Sequence, residues 1–159
     1  MTGQVSGFPS YFMNPSDLTQ HPPRSPRVRL GGFAILPRML DKARATIAGT
    51  NGEYNFDCPL DRRFLNFMGI DPEALKERLT QGKGDGEMLA WILENAKNKP
   101  TEFAIEAWSA FCERRVPNTV ETRQYVNEAH SKLGPAREDI GTFFDLLDLD
   151  DYVSFGGKA

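Results

Sequence analysis

The sequence predicts an all-α fold: a compact bundle of six or seven short helices, with one small β-hairpin as an optional addition and a proline-rich N-terminal arm. Three observations carry this. From Leu36 onward apolar residues recur three and four apart, the period of a helix face. Prolines and capping residues stand where helices begin, and glycines stand where they end. Before residue 33, by contrast, Pro9, Pro15, Pro22, Pro23 and Pro26 are mixed with Gly3, Gly7, Gly31 and Gly32, which forbids a long helix.

The 159 residues are 40% hydrophobic and 26% charged, an ordinary balance for one globular domain. That excludes a disordered chain, a collagen-like repeat and a coiled-coil rod. The chain divides into the arm (1–32), a single helical domain (33–155) and a short tail (156–159). Phe8, Tyr11, Phe12, Met13 and Leu18 are candidate anchors of the arm.

The elements follow in order. Pro37 suits a first turn, and Leu36, Leu40, Ala43 and Ile47 form one apolar stripe. Asn51-Gly52 is a turn, and the alternation in 53–57 is the candidate hairpin strand. Leu60, Phe64, Phe67 and Met68 mark a second helix, stopped by Gly69. Asp71-Pro72 caps a third, with Leu75 and Leu79 inward. Asp85 is expected to cap a fourth, with Met88, Leu89, Ile92, Leu93 and Ala96 facing the core. Pro100-Thr101 opens a fifth, with a core stripe of Ala104, Ile105, Trp108, Phe111 and Cys112. Asn118 and Glu121 have capping-box spacing for a sixth that runs to Leu133. Gly134-Pro135 is expected to end that helix and start the last, whose face is Ile140, Phe143, Phe144 and Leu147.

Net charge is −3 and the pI about 5.4, which disfavours a dedicated nucleic-acid binder. The charge is uneven. Residues 1–44 hold six basic side chains against Asp17 and Asp41; residues 135–159 hold six acidic ones against Arg137 and Lys158. Mutual attraction of the two ends within the fold is one reading, an external partner the other. Two cysteines, no CxxC and no leader or membrane pattern point to reduced thiols in a soluble cytoplasmic protein. Phosphate-loop, dinucleotide, HExxH and GxSxG motifs are absent, and His21 and His130 stand far apart. No metal ligand set and no cofactor are assigned.

Three clusters carry possible chemistry. Arg24, Arg27, Arg29 and Arg38 lead into the first helix. Guanidinium forks beside free helix N–H groups can take a carboxylate or phosphate. They can equally fasten the arm to the acidic last helix. The run Tyr54 to Arg63 packs a phenol, Asp57, Asp61, Cys58 and two arginines into ten residues. Asp57 and Asp61 are candidates for general acid and base, or for an oxygen-rich cation pair, and otherwise for helix caps. The third cluster, Asp145 to Asp151, interleaves acids with leucines but lacks the glycine and the final glutamate of a calcium loop. Its acids oppose the helix dipole, so a basic neighbour is expected, Arg24 to Arg29 being the candidate. Cys112 lies on a core stripe and reads as packing.

The runs Ser25-Pro-Arg27, Leu36 to Lys42, Tyr54 to Asp61, Phe64 to Asp71 and Asp139 to Asp148 resemble a bacterial family known as domain of unknown function 5069. The resemblance spans roughly Pro23 to Asp151. It implies a soluble bacterial protein and brings no activity or catalytic residue.

Two functions follow from the residues. The first is a small binding or interaction module that takes an anionic ligand or acidic protein partner through Arg27, Arg29 and Arg38. The second is a small enzyme built on Tyr54, Asp57, Cys58 and Asp61, with Arg38 or Arg62 orienting a negatively charged small molecule. A structural subunit of a larger assembly is a third option, whose sign is an exposed apolar patch.

Overall fold

The computed structural model describes residues 17–159, and among them seven helices and no strand. They are α1 (Leu36–Ala48), α2 (Pro59–Met68), α3 (Pro72–Leu79), α4 (Asp85–Asn95), α5 (Glu102–Arg114), α6 (Val120–Leu133) and α7 (Phe143–Ser154). The proposed anchors Phe8, Tyr11, Phe12 and Met13 lie outside the described residues. Leu18 is buried.

Helix α1 is the hub. Its Leu36, Met39, Leu40 and Ala43 are fully buried, with Phe64, Leu65 and Met68 of α2, Leu75 of α3, and Met88 and Ile92 of α4. Each large apolar side chain buried this way contributes about 1.5–3 kcal/mol. Phe33 meets Phe64 edge-on at 5.3 Å, and Phe67 stacks on Trp108 at 4.9 Å. A second, smaller core joins Ala34, Ile35, Cys112 and Phe144, which ties α5 and α7 to the start of α1.

The chain before α1 is fixed by backbone bonds and by one buried hydroxyl. Ser109 Oγ donates to Gly32 O at 2.6 Å and accepts the Ala34 N–H at 2.9 Å. Leu30 and Phe33 form an isolated bridge closed through Gly31 (φ 59°). A Cβ on Gly31 would meet Leu89 at 2.7 Å, so glycine serves both the backbone and the packing there.

Several expectations are corrected. Residues 53–57 form turns, not half of a hairpin; Asp57 at φ 64° breaks the extended backbone an edge strand requires. Gly84 is the N-cap residue of α4, and Asp85 is drawn away to Arg24 and Arg44. Thr119, one residue after Asn118, caps α6 through Thr122. α7 begins at Phe143, not at Pro135: Thr142 and Asp145 make a reciprocal capping box, and Pro135–Gly141 stays non-helical. Ile47, Leu93 and Phe111, read as inward, are exposed.

Candidate functional site

Arg38 and Lys42 are one helical turn apart on α1 and share a face. Both are buried, Lys42 with 4% of its side chain exposed. Such burial of two cations needs compensation, and each has a dedicated carboxylate.

Lys42 answers Asp61 of α2, whose side chain is completely buried; Nζ lies 2.8 Å from Oδ1. Asp61 Oδ2 accepts the Asp57 N–H at 2.9 Å. Burial raises the Asp61 pKa, against the pull of the Lys42 charge and the backbone donors. The same Nζ donates a hydrogen bond to Cys58 Sγ at 3.2 Å. Cys58 is the N-cap residue of α2, in extended backbone just before Pro59. Its sulfur therefore sits beside both an ammonium group and the positive end of a helix.

Arg38 answers Asp151 of α7, at 2.7 Å and 3.2 Å. The Tyr54 hydroxyl donates to the same carboxylate at 2.8 Å, and the guanidinium lies 5.5 Å from the centre of the Tyr54 ring. Burial, then the hydrogen bond to anionic Asp151, raise the Tyr54 pKa well above the usual phenol range. Burial pulls the Arg38 pKa down, but Asp151, with Tyr54 and Asp148, raises it on balance.

These groups underlie a cavity of about 640 Å³, lined by Arg38, Lys42, Tyr54 and Cys58 with Leu60, Tyr125, Leu147 and Asp150. α1 supplies the cations, the 54–58 turn supplies phenol and thiol, and α2 and α7 supply the counter-charges from behind.

Of the four candidates from the turn, Tyr54, Cys58 and Asp61 converge here. Asp57 does not: its carboxylate pairs with Arg62. Asp57 and Asp61 thus serve different cations and form no shared carboxylate pair. The arginines of the proposed anion site are each engaged within the chain. Arg27 bonds Asp145 and Asp148, Arg29 bonds Glu113, Arg38 bonds Asp151, and Arg24 bridges Asp41 and Asp85. Only Arg27 and Arg38 reach the acidic last helix. Lys42 and Asp151 were missed as site residues. The i, i+4 spacing of Arg38 and Lys42 on an apolar helix was the available signal. Cys112 is buried, and burial pushes its thiol up.

The model of one family, Domain of unknown function (DUF5069), matches residues 20–153. The chain belongs to that family. Its span takes in the whole cluster, from Arg38 to Asp151, together with the segment that carries Arg24 and Arg27. The family's description assigns it no function. No curated protein matches the chain. Among the described residues no helix is long and apolar enough to cross a membrane.

Proposed function

We propose that this protein is a small enzyme whose reactive group is the Cys58 sulfur, acting on a small, negatively charged electrophile in the cavity above Lys42. One observation carries the reading: Lys42 Nζ stands between Cys58 and a fully buried Asp61, inside a cavity that a small molecule can enter. An ammonium group held this way cannot swing off to solvent. It offers fixed positive charge to a developing anion, the arrangement that most lowers a barrier in a partly dry site.

In the step proposed, the sulfur forms a bond to the electrophilic carbon of the substrate. The leaving group departs with the bonding pair, and the thiol proton passes to solvent. Lys42 stabilises negative charge on the sulfur and attracts the anionic substrate. Asp61 is a positioning residue for Lys42. Tyr54, fixed by Asp151, forms part of the cavity wall.

The test is alkylation by iodoacetamide at neutral pH, read at each cysteine by peptide mass spectrometry. Cys58 should react about tenfold faster than a free thiol, and Cys112 far slower. A Cys58 rate no faster than that of N-acetylcysteine would remove the nucleophile.

A further inference from the structure

A second cavity, of about 790 Å³, opens on the other side of Leu60 and Leu147, between α2, the end of α5, α6 and α7. Leu133, Leu147, Phe143 and Tyr125 make its walls apolar, and Arg63 and Arg115 stand at its edge. Almost every other buried or half-buried arginine of the chain grips a carboxylate. These two pair with none among the described residues. Arg115 lies 4.7 Å over the Phe143 ring, and burial followed by the Arg63 charge holds its pKa below the ordinary value. Two guanidiniums therefore repel each other beside an oily hollow. Arg62 nearby is taken by Asp57, and the one acid in the lining, Asp150, accepts from Ser154. Residues 1–16 contain no Asp or Glu, so that segment cannot supply the missing charge.

We infer that this cavity is a binding site for a small amphipathic anion: a carboxylate or phosphate head between Arg63 and Arg115, with a short apolar body along Leu133, Phe143 and Leu147. The volume is in the range of sites for drug-sized ligands. Two planar forks meet either head group bidentately, while the apolar tail supplies the hydrophobic part of the affinity. The site is independent of the Cys58 chemistry and does not require it.

Isothermal titration calorimetry of the full chain with octanoate, octyl phosphate and 1-octanol tests this. One equivalent of octanoate or octyl phosphate should bind, with the tighter of the two naming the head group, and octanol should bind at least about tenfold more weakly. The variant Arg63→Gln/Arg115→Gln, checked for its fold by circular dichroism, should lose about tenfold or more toward the anion. Equal binding of octanol, or full retention by the folded double variant, would overturn the inference. Should that variant not fold, the comparison of octanoate with octanol on the native chain decides alone: no preference for the anion overturns it.

Discussion

At the scale of the residue, the buried Lys42–Asp61 pair is where charge costs most and where a single change says most. Removing one partner strands the other in a dry site, at about 3–5 kcal/mol, whereas replacing both by apolar groups can be close to neutral. Lys42→Met should therefore lower the urea midpoint more than Lys42→Met/Asp61→Leu does, the reverse of additive behaviour. Tyr54 offers a second reading of the same cluster. Tyr54 should ionise at a pH above the ordinary phenol value near 10 in an absorbance titration at 295 nm. Because its folded pKa is raised, its contribution to stability is complete below the unfolded value and is lost as pH climbs through the folded one. Tyr54→Phe should remove that high-pH step.

At the scale of the element, the chain ahead of α1 is held to α5 by the Ser109 hydroxyl. Ser109→Ala leaves the buried Ala34 N–H unanswered and takes a donor from the part-buried Gly32 carbonyl, which should cost about 1–2 kcal/mol in denaturant unfolding. Helix positions were legible because spacing and punctuation agree, as at Asp71-Pro72 and at Gly69. The boundaries that were misread share a cause. At Asp85 and Asn118 the expected cap was set aside, for a distant ion pair in one case and for a box one residue along in the other. No local pattern carries the position of Arg24, whereas the Thr119–Thr122 box is local and competes with Asn118 at the same spacing. Much of the site was visible, Arg38 among the arginines ahead of the first helix and three residues of the turn after it. Tyr54, Cys58 and Asp61 lie within eight residues, and their density is a sequence property. Lys42 and Asp151 join them only through the packing of α1 against α2 and α7.

At the scale of the molecule, the basic front and acidic back do meet, through Arg27 with Asp145 and Asp148 and through Arg38 with Asp151. Further links, from Arg24 and Arg44 to Asp85 and from Arg29 to Glu113, spread the charge pairing over the whole surface. Arg24 lowers the Asp85 pKa. Backbone N–H donors at Gly141 and Thr142 lower that of Asp145 against its burial. Arg137 holds that of Asp139 down to about 2. Depressed carboxylates add stability above their unfolded value, near ~4, and lose it as pH falls through the folded value. The urea midpoint should thus fall as pH drops from 4 toward 2.

Lys42 should lend its charge to Cys58, and comparing iodoacetate with iodoacetamide as alkylating agents for Cys58 reads that charge. A fixed ammonium at 3.2 Å from the sulfur should favour the anionic reagent, so the ratio of the two rates should exceed that of N-acetylcysteine under the same conditions. Lys42→Met should return the ratio to the free-thiol value. A native Cys58 whose ratio already equals that of the free thiol would contradict the account.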